Sequence, residues 1–298
     1  MSTIVTHPGS AHRDEFMACC LAIAAGKCGR IERRDSTDED LNDPNVIVLD
    51  QGSRHEPALL NFDHHQFGRD ADPACSITLI LPYLGIDVEK ARSIWGWLEF
   101  SELLDSKGPF ATAEKLGSTP DALFAGVSPV ETTVLRWFEE VVWMEDDCAP
   151  LYALMHRIGK EKLDYLAVVV ERHERLDREA IVYRGGYLPR QGSWESGCDL
   201  PSRELPVDVI DATCIPRDEN PVMGLEAWVG TRVEQTVVTI TQDDRGEGLC
   251  LFRRNDDPRI DFSMLEGEGG VVFAHKGGFV AKLAAGVDPL PMIEKAVV

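Results

Sequence analysis

The first third of the chain alternates short apolar runs with a helical one, and this alternation predicts a βαβ unit. Ile4 to Thr6 is a short strand-like run, and Glu15 to Ala25 is apolar nearly all round and stops at Gly26, as a buried helix does. Val46 to Leu49 is a continuous apolar run, typical of a parallel strand buried on both faces. Glu89 to Leu104 has near-helical spacing of apolar residues and is predicted as one helix.

The pattern changes near residue 180. From Asp121 to Glu179 it stays mostly helical, and after it short strand-like runs are separated by turn residues. These predicted strands are Ala180 to Tyr183, Val207 to Ile210, Leu225 to Val229, Thr236 to Ile240, Leu249 to Phe252 and Val271 to Ala274. The chain is therefore predicted to be α/β, with a parallel-sheet domain flanked by helices on both faces over residues 1–180 and a smaller mixed α+β domain over residues 181–298.

Composition narrows the class of protein. The chain has 298 residues, 44% hydrophobic and 27% charged, which is the balance of an ordinary globular protein. Its net charge of -21 repels long polyanions, so we expect neither a long nucleic-acid tract nor an anionic membrane as partner. Small anionic substrates stay compatible with this charge, because a metal site can invert the local sign. With no long apolar stretch and no basic leader, the chain is expected to be cytoplasmic.

The eight cysteines form no Cys-x-x-Cys pair and several lie in apolar runs. Buried free thiols are the favoured interpretation.

Ligand-type side chains stand where predicted elements end. They are His7, His12 and Asp14 after the first strand, Asp50 after the second, Asp63, His64 and His65 after the run Leu59 to Phe62, and Asp105 at the end of the helix predicted over 89–104. Ligands of open α/β sheets bind at the carboxyl ends of strands, so we expect these residues to meet. Two alternatives are structural: Asp14 only caps its helix, and Asp50 is only a turn residue.

Mixed imidazole and carboxylate ligands suit Mn, Fe, Co or Zn. The set is larger than one ion needs, and two ions about 3.5–4 Å apart, bridged by one carboxylate, would use it and clamp an in-line displacement at phosphorus. Near the other end of the chain, His275, Lys276, Gly277 and Gly278 resemble a phosphate contact, in which glycines expose backbone N–H donors and the side chains supply positive charge. The alternative for this segment is a simple β-turn.

The triplet Asp63-His64-His65 resembles the signature of the DHH phosphoesterase superfamily, which includes RecJ-type exonucleases, oligoribonuclease/pAp phosphatases and manganese-dependent pyrophosphatases. The usual first motif is His-x-x-x-Asp-x-Asp, whereas this chain has one inserted residue and His12 in place of the first Asp. Both departures resemble the branch typified by the melanocyte-proliferating-gene-one protein, here called the Myg-one branch, whose members begin Thr-His-x-Gly-x-x-His-x-Asp-Glu.

The positions that fit this branch are Thr6, His7, Gly9, His12, Asp14 and Glu15, then Asp63 to Gln66, and finally Val272 to His275 with Gly277 to Phe279. Residues 110 to 260 contribute little. Where the branch has Asp-x-Gly-Gly, this chain has Asp50-Gln51-Gly52-Ser53, which leaves the shape of that loop open.

The resemblance implies a DHH-type sheet domain and a dinuclear site. One ion is held by His7, His12 and Asp50, the other by Asp14, Asp50, His64 and Asp105, with Asp50 bridging. Asp63 orients the ligands, His65 faces the substrate phosphate, and the segment His275 to Gly278 closes over the site. The implied cofactors are two divalent ions, Mn first, with Mg, Co or Zn as alternatives.

The implied function is metal-dependent hydrolysis of phosphodiester or phosphomonoester bonds in short oligonucleotides or nucleotides, in the manner of a 3′–5′ exonuclease. One alternative is a phosphatase or pyrophosphatase acting on a small molecule, which the negative charge favours over an enzyme that tracks a long strand. Another is a regulatory protein that binds metal without turnover. A homo-oligomer is compatible with the sequence.

Overall fold

The structure is a computed structural model that describes residues 2–125, 128–145, 149–185, 187–191 and 207–298. The six cysteines within these ranges are all free, and all but Cys214 are buried, as predicted. Cys148 and Cys198 lie outside the described residues. The chain divides into two compact units, Met1–Ala167 and Val168–Val298, and the division falls inside a long helix. The resemblance implies metal binding and catalysis in residues 1–180, which include a helical connector, and substrate binding in residues 181–298, and this division stays a prediction.

The first unit contains a six-stranded sheet with the order β4-β5-β3-β1-β2-β6. Its strands are β1 (Ser2–Thr6), β2 (Cys28–Arg33), β3 (Val46–Leu49), β4 (His55–Glu56), β5 (Asn61–Phe62) and β6 (Trp143–Glu145). β1 pairs in parallel with β2 and β3, and β3 pairs in parallel with β5, whereas β4 and β6 are antiparallel edges. The predicted parallel sheet is thus confirmed at its centre, with two antiparallel edges added. β1 and β3 are buried on both faces, and Ile4, Val5 and Ile47 are fully buried.

The helices are α1 (Arg13–Ala24), α2 (Asp38–Asn42), α3 (Ser76–Ile80), α4 (Val88–Ile94), α5 (Leu98–Lys115), α6 (Pro120–Ala125), α7 (Pro129–Glu139) and α8 (Pro150–Glu179). α1 is a central helix, fully buried from Ala18 to Ala22. After α1 the chain turns at Gly26, whose φ of 68° suits glycine, and the Lys27 N–H donates to the Ala22 carbonyl at 2.9 Å. Among the described helices, none is long and apolar enough to cross a membrane.

Two sequence-based assignments are wrong. The helix predicted over Glu89 to Leu104 is broken into α4 and α5, because the chain leaves helical geometry at Trp95 and a glycine follows. Asp105 therefore lies inside α5, one turn before the non-helical Gly108, and not at the end of a helix.

The second unit contains a seven-stranded mixed sheet with the order β12-β13-β11-β10-β9-β7-β8. Its strands are β7 (Ile181–Arg184), β8 (Tyr187–Gln191), β9 (Val209–Asp211), β10 (Val238–Gln242), β11 (Leu249–Arg253), β12 (Val271–Ala274) and β13 (Val280–Leu283), and its further helices are α9 (Leu225–Arg232) and α10 (Pro289–Lys295). The strand predicted at Leu225 to Val229 is wrong. It is α9, which buries Leu225, Trp228 and Val229 at i, i+3 and i+4 spacing.

Candidate metal centre

Three candidate side chains follow three neighbouring parallel strands in register. Thr6 of β1 pairs with Leu49 of β3, and Leu49 pairs with Phe62 of β5. The next residue on each strand is His7, Asp50 or Asp63, so all three leave the same edge of the sheet. The chain also reverses its strand order here, because β2 and β3 lie on opposite sides of β1. Such a switch point is where open α/β sheets bind ligands.

Asp14 lies in the first turn of α1, with 2% of its surface exposed. The N-cap of α1 is His12, and the Glu15 carboxylate accepts hydrogen bonds from the His12 backbone N–H at 2.8 and 2.9 Å. The alternative that Asp14 only caps its helix is therefore wrong. Its Oδ2 accepts from the Ser76 backbone N–H at 3.2 Å, which fixes the carboxylate.

His64 joins the strand edge to α5. Its Nε2 lies 2.6 Å from Asp105 Oδ2 and 3.2 Å from Asp50 Oδ1. On the other side of Asp50, Oδ2 lies 3.4 Å from His7 Nε2. Asp50 is buried, with 2% exposed, and has a left-handed φ of 55° that directs the chain out of β3. Asp50 thus has the backbone of a turn residue, as the structural alternative proposed, but its side chain lies among the candidate ligands.

The candidate ligand atoms form three overlapping groups, in each of which they lie within 4.8 Å of one another. The groups are His7, His12, Glu15 and Asp50, then Asp50, Asp63, His64 and His65, and finally Asp14, Asp50, His64 and Asp105. Asp50 is common to all three. The structure thus brings together the eight residues His7, His12, Asp14, Asp50, Asp63, His64, His65 and Asp105 that the sequence singled out in this unit.

Several buried atoms of the cluster have no hydrogen-bond partner among the described residues, although they lie close to one another. They are Asp14 Oδ1, both oxygens of Asp50, His64 Nε2 and Asp105 Oδ2. Buried polar atoms are nearly always paired, so each such atom calls for an explanation. Four of the five lie at ion-pair distance from a neighbouring side chain of the cluster without forming a hydrogen bond, and the group could hold divalent metal ions. The assignment of each ligand to one ion stays a prediction.

The charges and burial of the cluster shift the pKa values of several of its side chains. Burial, followed by the nearby Asp50 and Asp105 carboxylates, raises the pKa of Asp14 well above its usual range. The Asp50 carboxylate raises the pKa of His7 to about 9. Burial lowers the pKa of His64, but the Asp105 and Asp50 carboxylates outweigh it and raise the value to about 10. The carboxylates thus favour the charged form of both histidines, whereas burial and neighbouring carboxylates disfavour the charged form of Asp14.

Asp63 is fully buried and orients His65. Its Oδ1 lies 2.7 Å from His65 Nδ1 and accepts from the His65 backbone N–H at 3.1 Å, while its Oδ2 accepts from the Ser53 N–H at 2.6 Å. A carboxylate on Nδ1 fixes the ring and leaves Nε2 for another partner. The His65 side chain is 58% exposed.

The hydrogen bond between Ser53 and Asp63 also bears on the shape of the loop after β3, which the sequence left open. Ser53 has a φ of 49° at the position where the branch has glycine, and Gly52 before it has a φ of 87°. The loop after β3 thus has two successive left-handed residues, and the hydrogen bond to Asp63 anchors the serine.

Glu15 and Arg33 belong to this site and were missed by sequence reasoning. Glu15 is fully buried, 3.5 Å from His7 Nε2, and burial raises its pKa to about 8. The Arg33 guanidinium, in turn, lies 3.5 Å from Glu15 and is 3% exposed. Glu15 was visible only as part of the branch pattern, and Arg33 carried no signal because β2 is otherwise polar.

The segment His275 to Gly278 lies in the second unit, in the hairpin between β12 and β13. The Gly278 N–H donates to the His275 carbonyl at 2.8 Å, and the Gly277 N–H donates to His275 Nδ1 at 2.9 Å. Gly278 has a φ of 69°, and a Cβ there would meet Asp261 at 2.3 Å. The turn offered as the alternative is therefore present. Two aromatic rings flank His275, with Phe279 at 4.0 Å and Phe273 at 6.1 Å.

Comparisons with known proteins agree with the motifs. Residues 3–76 match the family model MYG1_exonuc, described as an uncharacterised protein family (UPF0160). A MYG1 protein from Dictyostelium discoideum is 33% identical over 99 residues, which span 30% of this chain and 30% of that relative. Both matches confirm the resemblance to the Myg-one branch over the stretch that they cover.

Among solved structures, the pGpG-specific phosphodiesterase PggH from Vibrio cholerae aligns with 95% of this chain and 93% of its own. The sequence identity is 14% and the TM-score is 0.28, a likeness too distant to transfer any residue role.

Proposed function

We propose that this chain is a DHH-type, divalent-metal-dependent phosphoesterase that hydrolyses phosphoester bonds of short oligonucleotides or nucleotides, in the manner of a 3′–5′ exonuclease. The observation that carries the proposal is the convergence of buried histidine and aspartate atoms on Asp50, with five of these atoms lacking hydrogen-bond partners among the described residues. The match of residues 3–76 to the MYG1_exonuc family supports the same chemistry.

The donor set fits two divalent ions. His7, His12 and Asp50 would hold one ion, and Asp14, Asp50, His64 and Asp105 the other, with Asp50 in both sets. When bound, such ions lower the pKa of water and stabilise the charge of an in-line displacement at phosphorus. Imidazole with carboxylate suits Mn first, and Co, Zn or Mg as alternatives. His12 in place of a carboxylate removes one negative charge from the first set, which distinguishes its metal preference from that of an all-aspartate motif.

His65 and Asp63 are the groups that would act on the substrate. The Asp63 carboxylate accepts a hydrogen bond from His65 Nδ1, so His65 in its imidazolium form would donate Nε2–H to a phosphate oxygen. In the hydrolysis, the oxygen of water bonds to phosphorus, the bond from phosphorus to the leaving oxygen breaks, and that oxygen takes up a proton. His65 would stabilise the charge that develops on phosphorus oxygens during this step.

The hairpin His275 to Gly278 is proposed to contact substrate. Exposed aromatic rings beside it, Phe273 at 44% and Phe279 at 43%, suit a stacked base, and Lys276 suits a phosphate. Replacing both His275 and Lys276 by Ala should raise KM for a dinucleotide and change kcat little, because these groups would not touch the reacting phosphorus. Unchanged kinetic constants in steady-state assays would make the hairpin an ordinary turn.

The function is tested by a substrate screen of the full chain with Mn. pAp, dinucleotides, oligoribonucleotides, single-stranded DNA and inorganic pyrophosphate are compared before and after chelation. The proposal predicts hydrolysis of the short nucleotides, lost with EDTA and restored by Mn. Turnover of pyrophosphate alone would favour the small-molecule phosphatase, and metal binding without any turnover would favour a regulatory metal-binding protein.

A further inference from the structure

A cavity of about 430 Å³ in the first unit opens directly beside the candidate metal centre. His12, Asp14 and Asp105, all candidate ligands, form part of its lining. The rest of the wall contains three apolar side chains, Leu104, Phe124 and Leu135. A phosphate held by ions at the ligands would therefore point one of its substituents towards an apolar wall.

The charge of this cavity disfavours a second phosphate. Its arginine, Arg13, is engaged by Glu131 through two contacts, at 2.5 and 2.9 Å, and its guanidinium lies 5.0 Å above the Phe100 ring. Glu131 is neutralised by this arginine, and Asp105 is a candidate metal ligand. A second phosphate would therefore find no unpaired cationic side chain in the described lining, whereas a neutral group needs none.

The volume suits a ring system. Sites for small organic molecules occupy about 300–1,000 Å³ and combine apolar walls with few polar groups. Phe124 is 54% exposed, although it lies on the cavity wall, and an exposed aromatic face is a stacking surface for a planar ring. Ser101 lies on the same wall and supplies a hydroxyl oxygen.

We infer that this cavity is the subsite for the organic group esterified to the reacting phosphate, and that it selects a neutral aromatic group, such as a nucleobase-bearing alcohol, over a second phosphate. The inference rests on the proposed phosphoesterase function and deepens it by naming the subsite that would hold the organic group of the substrate. It assigns Phe124, Leu104 and Leu135 to substrate selection without giving them any contact with the metal ions.

The test uses two phosphonates that differ only in the ring, phenylphosphonate and methylphosphonate, because neither can be hydrolysed. Isothermal titration of the Mn-loaded full chain should show phenylphosphonate binding at least about fivefold tighter, as expected for one ring stacked on one aromatic side chain. Phe124→Ala should remove this preference and leave the affinity for methylphosphonate unchanged. The matched control is Phe110→Ala, since Phe110 is 79% exposed and outside the cavity lining, and it should keep the preference.

Equal binding of the two phosphonates to the wild type, binding of neither, or a preference that survives Phe124→Ala would overturn the subsite. These outcomes are separate from failure of the proposed function. If the chain shows no hydrolysis yet binds phenylphosphonate more tightly through Phe124, the subsite stands and the proposed function fails. If the chain hydrolyses nucleotides but lacks this preference, the proposed function stands and the subsite fails.

Discussion

Replacing Asp50 by Asn should abolish most of the stabilisation that Mn confers on the protein. Asp50 belongs to all three candidate ligand groups, and both its oxygens are buried without hydrogen-bond partners among the described residues. Asn keeps the shape of the side chain but removes the charge and one ligand oxygen. The measured quantity is the rise in Tm when Mn is added, compared with EDTA, within each variant.

The expected size follows from linkage. A metal ion that binds only the folded state adds about 2.7 kcal/mol to the free energy of unfolding when the free Mn concentration is 100 times Kd. One kcal/mol shifts Tm by about 2–4 °C for a unit of roughly 150–250 residues, so the wild type should gain ~5–11 °C per site. Loss of an outer hydrogen-bond partner of a metal ligand already costs about 10–100-fold in affinity. With Kd raised ~100-fold, the remaining stabilisation is about 0.4 kcal/mol, or ~1–2 °C.

Differential scanning calorimetry of the full chain provides this comparison. Asp164→Asn is the matched control, because this aspartate lies on α8 with a side chain 60% exposed and contacts Lys160. Its Mn-induced shift should equal that of the wild type. A full Mn-induced shift in Asp50→Asn would show that Asp50 is not a ligand of the proposed ions.

Three further outcomes are expected. His65→Ala should lose most turnover yet keep its bound Mn in metal analysis, whereas His64→Ala should lose Mn as well; equal Mn loss in both would contradict the division of roles. Asp40→Asn should lower the free energy of unfolding by about 1 kcal/mol at pH 7, because its arginine partner holds the pKa of this carboxyl below its usual range. The difference from wild type should shrink in urea titrations as the pH falls below about 4, and a constant difference would exclude the charge as its source. Gly159→Ala should destabilise by several kcal/mol, about 2–5 by analogy with other core disruptions, because its Cβ would lie 2.0 Å from a backbone oxygen of α1, while Gly230→Ala, which meets nothing within 4 Å, should be neutral or stabilising.

The candidate site could be predicted largely from the sequence because its ligands follow strands. Parallel strands end at one edge of a sheet, so a polar residue directly after each apolar run is placed by topology alone. His7, Asp50 and Asp63 obey this rule and stand in register. Asp105 was predicted at the end of a helix, and its real position within α5 depends on a helix break that apolar spacing does not reveal.

Other features of the fold could not be predicted from the sequence, because they depend on tertiary contacts. The helix α9 was predicted as a strand because a short apolar run fits either structure, and only burial at i, i+3 and i+4 separates them. β2 was not predicted, since few of its residues are apolar. Arg33 is buried there against Glu15, and no local pattern indicates a buried arginine.

The histidines and aspartates around Asp50 are proposed to hold two divalent ions. Anomalous diffraction at the manganese edge, from crystals of the full chain grown with Mn, tests this proposal most directly. We expect two peaks about 3.5–4 Å apart, one on each side of the Asp50 carboxylate. A map with no peak within bonding distance of Asp50, or with a single peak at saturating Mn, would contradict the proposal.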